Sequence, residues 1–181
     1  KILAGMEDIF GNPIANDHNY EFTTGSLNYF PETYIDNFET GIGNWWQPGS
    51  SGSTIGILPL TTNMAVSTAI LNLNTSSTKS MQLNYDWDTS ASAWLIREYF
   101  TQSTPAFGTN TILQAYIFGD GSNNKLRFAV RETAPGNFEV SPWYDMNWLG
   151  WKLISWDLSQ GQTGNWIGNN VLEPPLKFDS F

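Results

Sequence analysis

Nine tryptophans in 181 residues, with seven tyrosines and three arginines among them, are the residues of this chain that could do chemistry. An indole buries roughly 150–250 Å² and needs a partner for its N–H when enclosed. So many of them imply either a thick aromatic core or an aromatic surface built to stack on a flat, neutral partner such as a sugar ring. Trp45 and Trp46 are adjacent, as are Trp143 and Tyr144, and neighbours on a strand point to opposite sides. One member of each pair is therefore expected outside the core. Trp46 and Tyr144 are the candidates for stacking, while Trp151 and Trp156 are expected in the core.

Catalytic chemistry has thinner support. The single histidine, His18, lies in a Pro/Asn turn with no second histidine for a metal and no serine–aspartate arrangement around it. A glycosidase needs two carboxylates across a cleft. Asp86, Asp88, Glu98, Glu132, Asp145 and Asp157 are available, but their spacing does not pair them. The expectation is a non-catalytic protein. The absence of cysteine removes thiol catalysis, disulfides and zinc–thiolate sites together.

Charge narrows the partners. Eight basic against seventeen acidic side chains give a formal charge of −9, without the basic footprint that phosphates or anionic lipids require. Nucleic acid is excluded as a partner, and no apolar run is long enough to span a membrane. Abundant Asn, Ser, Thr and Gly with few lysines suit a secreted or bacterial cell-surface protein.

The elements that must position these residues read as strands. Helical periodicity is nearly absent, and alternation with period two recurs over 19–24, 81–87, 94–100, 111–118, 125–131, 137–140 and 151–158. Turn signals separate them: Asn12-Pro13, Gly119-Asp120-Gly121-Ser122 and Pro135-Gly136. The pattern predicts an all-β, two-sheet antiparallel β-sandwich. Residues 119–124 are expected to close a hairpin between 111–118 and 125–131. If strand 94–100 lies beside that hairpin, Arg97, Tyr99, Gln114, Tyr116 and Arg127 form one polar-aromatic patch.

Two stretches resemble known families. Gly5–Gly25, with Asp8, Gly11, Asn12, Pro13 and Ala15 in a turn and Phe22–Gly25 at its end, resembles the C-terminal tail of a bacterial Ig-like domain of the S-layer type. From Tyr34 onward the chain resembles the jelly-roll carbohydrate-binding modules appended to bacterial secreted glycosidases. The residues that carry this are 34–54 (YIDNFETGIGNWWQPGSSGST), 116–132 (YIFGDGSNNKLRFAVRE), 147–159 (NWLGWKLISWDLS) and the ending LKFDSF at 176–181.

The resemblance implies an Ig-like tail over 1–26, a linker over 27–33 and a jelly roll over 34–181 that lacks its last strand, either because the sequence is a piece of a longer one or because a neighbouring chain supplies that strand. It also implies a structural Ca²⁺ held by Asp36 and Glu39, although Asn37 replaces the second aspartate of the family's opening. The function it implies is non-catalytic binding of a polysaccharide or glycoconjugate through Trp46, Arg97, Tyr99, Gln114, Tyr116, Arg127 and Tyr144. The alternative is a structural or adhesive subunit of a surface layer or filament. Its partners would be neighbouring domains or subunits of the same surface protein.

Overall fold

Alternating apolar residues, with β-branched and aromatic side chains between Gly and Asn breaks, make strands here as the pattern predicts, and the protein is all-β. The structure, a computed structural model, describes residues 33–73, 75–133 and 137–181. The Ig-like tail expected over 1–26, His18, the expected strand 19–24 and all but the last residue of the expected linker lie outside the described residues. Nine strands are described: β1 (Asn63–Ser67), β2 (Ser80–Asn84), β3 (Ile112–Asp120), β4 (Lys125–Leu126), β5 (Ala129–Glu132), β6 (Phe138–Val140), β7 (Tyr144–Asp145), β8 (Leu149–Asp157) and β9 (Leu176–Ser180). The helical pieces described are single 3-10 turns at Pro48–Ser50 and Leu158–Gln160.

The Gly119–Asn124 segment does not close the expected hairpin. β3 pairs with β8, from Ile112 opposite Asp157 to Asp120 opposite Leu149, and β4 pairs with β7. Between these ladders the Gly121 N–H donates to the Trp148 carbonyl (3.0 Å) and the Asn123 N–H to the Met146 carbonyl (3.1 Å). β5 then pairs with β6, and the Glu132 N–H reaches the Asn137 carbonyl (3.1 Å). Residues 112–132 and 137–157 thus form one long antiparallel ribbon. The positive φ of Gly121 (70°) and Asn123 (61°) supplies a kink in this ribbon rather than its end.

Two layers follow. In the first, the order β6–β5–β9 is extended by Gly164 beside Val140, and on the other side by Tyr99 beside Ser180 and Trp45 beside Phe100. Segment 94–100 pairs here, not beside β3. The second layer is the β3–β8 pair, and β1–β2 is a further two-stranded sheet. Trp45, Phe100, Phe128, Val130, Leu176 and Phe178 of the first layer share one buried cluster with Leu113, Ile154 and Trp156 of the second. Val130 of β5 and Leu176 and Phe178 of β9 enter this core.

Gly119 shows how tightly the ribbon is packed: a Cβ there would stand 2.5 Å from both the Trp148 indole nitrogen and the Trp148 carbonyl oxygen. Gly119→Ala is expected to cost about 1–3 kcal/mol through this overlap, read as a lower urea midpoint with an unchanged slope. An unchanged midpoint would show that the indole does not press on the backbone there.

Candidate functional site

The outer face of the first layer carries a continuous row of aromatic and guanidinium groups. A register shift on β9 begins it: Ala129 faces Ser180 and Val130 faces Phe178, so Asp179 has no counterpart. Such a bulge turns successive side chains toward one side. Arg97 meets both, its Nη2 donating to Asp179 Oδ2 at 2.5 Å and its Nε to Ser180 Oγ at 3.2 Å. The Ser180 hydroxyl also donates to Asp179 Oδ2, at 2.7 Å.

Fixed in this way, the Arg97 guanidinium lies 5.1 Å from the Tyr99 ring centre, 5.5 Å from Phe138 and 5.5 Å from Trp166. Trp46 packs on Tyr99 at 4.7 Å between ring centres. On the far side of Trp166 comes Arg127, 5.7 Å from that ring and 4.1 Å from Trp143. The row Trp46–Tyr99–Arg97–Trp166–Arg127–Trp143 ends on two exposed indoles, Trp46 at 39% and Trp143 at 44%. Each cation–ring contact contributes about 0.5–2 kcal/mol, more where water is excluded.

Trp166 was not singled out in the sequence. It sits in a Gly/Asn loop, Gly164–Asn170, with no strand pattern to place it. A signal for its position does exist in Glu139, a carboxylate on a strand otherwise bound for the interior. Glu139 is 1% exposed and accepts the backbone N–H groups of Asn169 (2.7 Å) and Asn170 (3.1 Å). Burial pushes its carboxyl above the usual range, against these two hydrogen bonds. A Cβ at Gly168 would overlap the Glu139 carboxylate and the Phe138 carbonyl, so the loop lies close on the sheet.

Gln114 and Tyr116 do not join the row. They stand on the outer face of the second layer, opposite Ser155 and Leu153. Gln114 donates to the Ser155 hydroxyl at 2.9 Å, and the Tyr144 hydroxyl donates to the Ser155 carbonyl at 2.8 Å. Ser155 therefore links these two predicted residues. Beside it opens a shallow depression of about 280 Å³ lined by Pro142, Tyr144, Ser155, Trp156, Asp157, Gln160 and Gln162. Pro142 and Tyr144 line it while Trp143, between them in the chain, caps the row.

The paired aromatics divide as their adjacency requires: Trp45 is buried and Trp46 exposed, and Tyr144 packs on Phe128 at 6.1 Å while Trp143 is exposed. Trp156 is core, at 2% exposure. Trp151 is not; it stands opposite Phe118 in the β3–β8 ladder, edge-on to it at 5.5 Å, and its odd spacing from Trp156 on one regular strand puts it on the outer face.

Asp36 and Glu39 spend their oxygens on the protein itself. Asp36 accepts the Phe38 N–H (2.8 Å) and the Trp45 indole N–H (2.8 Å). Glu39 accepts the N–H groups of Thr78 and Lys79 and the Thr78 hydroxyl, which hold its carboxyl below the usual range. Among the described residues no three acidic or histidine side chains come together around a metal-sized space. Asp36 and Glu39 tie the 36–45 turn to the core indole and to the residues just before β2.

The carboxylates weighed for catalysis each have a local setting. Asp145 pairs with Lys125 at 3.1 Å, Asp157 caps Ser159, Asp88 caps Ser90 and Asp86 accepts from Thr61. Glu98 and Glu132 are 3% and 5% exposed. Comparison with protein families, with curated proteins and with solved structures returns no match for this chain.

Glu98 generates the pH prediction of this region. Both its oxygens are enclosed without a partner among the described residues, and burial pushes its pKa from 4.5 to about 7. The folded protein therefore keeps a proton between pH 4.5 and about 7 that the unfolded chain has released. Stability is expected to fall as pH rises through that window, by on the order of 3 kcal/mol. Glu98→Gln should flatten this slope and raise the melting temperature above pH 7, as differential scanning calorimetry across pH would record. A wild-type curve that rises over the same window contradicts the assignment.

Proposed function

We propose that this protein is a non-catalytic glycan-binding module. The observation that carries the reading is the row fixed on the outer face of the first layer, with exposed indoles at both ends. Sugar rings present flat apolar faces that stack on Trp and Tyr, with hydroxyls that take hydrogen bonds from Arg and amide groups. Because Arg97, Asp179 and the Glu139-pinned loop hold the rings before any ligand arrives, little side-chain entropy remains to be lost on binding. The depression beside Tyr144, with Gln160, Gln162 and Ser155, offers amide and hydroxyl groups to a neighbouring ring.

The fold that suits this reading is the jelly-roll sandwich of secreted and cell-surface proteins, acting to hold a larger bacterial protein on a polysaccharide. A structural role as a surface-layer or filament subunit has its own support. The outer face of the second layer exposes Ile112, Tyr116, Phe118, Leu149 and Leu153, an apolar surface of the sort that marks protein contacts. Sedimentation velocity separates the two, since a subunit assembles with concentration and a binding module stays at 20.3 kDa.

Retention on insoluble polysaccharides and affinity electrophoresis supply the main test. Trp46→Ala and Trp143→Ala are each expected to weaken retention roughly tenfold, about 1.4 kcal/mol, with the near-UV circular dichroism of the core unchanged. Retention unaffected by either substitution would remove the row from the binding surface. A wild-type protein that no glycan retains would end the reading altogether.

A further inference from the structure

We infer that the ligand of this outer face is an acidic glycan, one whose rings carry carboxylate or sulfate groups; the inference rests on the glycan-binding reading and narrows it. The chain as a whole is strongly acidic, yet its few cations are not scattered. Arg131 stands opposite Phe138 on β6 and Lys177 on β9, so all three share one face. Phe138 contacts Arg97 and Trp166, and Trp166 contacts Arg127. Arg97, Arg127, Arg131 and Lys177, four of the eight basic residues, therefore lie on the face that carries the aromatic row.

Among the described residues, the carboxylates beside that face are paired or turned away, Asp145 near Trp143 being held by Lys125. Asp179 is there, but Arg97 neutralises it. Glu139 stands opposite Val130, a residue with no exposed surface, and so points to the inner side, where it holds backbone N–H groups. Glu132 shares the parity of Val130 and accepts the Glu173 N–H. Among the described residues the ion pairs are Arg97–Asp179 and Lys125–Asp145, which leaves Arg127, Arg131 and Lys177 uncompensated.

Arg127 is the most telling of the three. Its guanidinium lies between Trp143 and Trp166 and donates to the Asn165 carbonyl at 3.0 Å. A guanidinium has five N–H donors, and the other four meet no acceptor among the described residues. Partial burial pulls its pKa down, the mark of a charge stripped of some water without an anion in exchange. A carboxylate or sulfate received there replaces the lost hydration with charge-assisted hydrogen bonds, while its ring stacks on the exposed Trp143. Arg131, four residues on in β5, is at most about 13 Å away at an extended rise, within reach of another acidic unit of the same glycan.

The remaining surface, which carries the excess of acid, repels a polyanion and so favours approach by this face alone. Matched polymers decide the matter: homogalacturonan against its methyl ester, and dextran sulfate against dextran, measured by biolayer interferometry, with single-stranded DNA as a further anion. The acidic member of at least one pair is expected to bind at least roughly tenfold more tightly than its neutral counterpart, and to weaken as salt is added. Binding confined to homogalacturonan identifies the carboxylate as the recognised group, and binding confined to dextran sulfate identifies the sulfate.

Arg127→Gln should bring the acidic polymer down to the level of its neutral counterpart. Lys177→Ala, at a partly covered position on β9, should give a smaller loss without touching the row. If neutral and acidic members bind alike, the inference falls while the glycan-binding reading stands. Binding to no glycan overturns both. DNA bound as tightly as the acidic polymers overturns the assignment to glycans.

Discussion

The ion pair between Arg97 and Asp179 is the interaction on which the outer face depends. Asp179 is enclosed, with a side chain 1% exposed, and Arg97 is 16% exposed. Separating them would leave a buried carboxylate without compensation, a loss of about 3–5 kcal/mol. The pair exists because one residue of β9 has no counterpart on β5. That bulge turns Asp179 and Ser180 together toward a guanidinium that a regular strand would have met only once. Held by two acceptors, the guanidinium becomes a plate against which Tyr99, Phe138 and Trp166 can lie, and through Trp166 the order passes to Arg127 and Trp143.

The two sides of the first layer are built on opposite principles. Inside, phenylalanines, Trp45 and Leu176 form the bulk of the core, and burial alone is favourable by roughly 25 cal/mol for each Å² removed from water. Outside, polar groups are ordered by one another. Glu139 belongs to the inner side yet serves the outer one, since its carboxylate pins the loop that lays Trp166 across the arginines. Glu98 is the cost of the inner side's tightness: an enclosed carboxyl that stays neutral into the physiological range. An active or binding surface with fixed geometry commonly carries such unfavourable groups nearby.

Alternation along the chain located β2, β3, β5, β6 and β8, but it missed β1 and β7, and 94–100 forms isolated bridges and no strand. The adjacency of Trp45 with Trp46 and of Trp143 with Tyr144 required one aromatic of each pair to lie outside; the choice of Trp46 holds, whereas Trp143, not Tyr144, is the exposed member of the second pair. Partner choice was less legible. The Gly119–Asn124 segment has every residue that a hairpin turn demands, but the same positive-φ freedom serves a kink within a longer ribbon, and local preference cannot tell the two apart. That error carried Gln114 and Tyr116 into the wrong layer. Arg97, Tyr99 and Arg127 lie in one row, but the link between the two arginines is Trp166, supplied by a loop more than thirty residues from any of them in sequence and invisible to periodicity. The bulge at Asp179 leaves no trace in composition at all, because it is a property of pairing.

Replacing Asp179 by Asn tests the account most directly, since it keeps the shape of the side chain and removes the charge that fixes Arg97. Chemical unfolding together with near-UV circular dichroism is the measurement. A loss of about 3 kcal/mol or more, accompanied by a weakened tryptophan signal from the freed row, is the predicted result. An Asp179→Asn protein of unchanged stability with its tryptophan spectrum intact would contradict it, because the row would then be ordered without the ion pair.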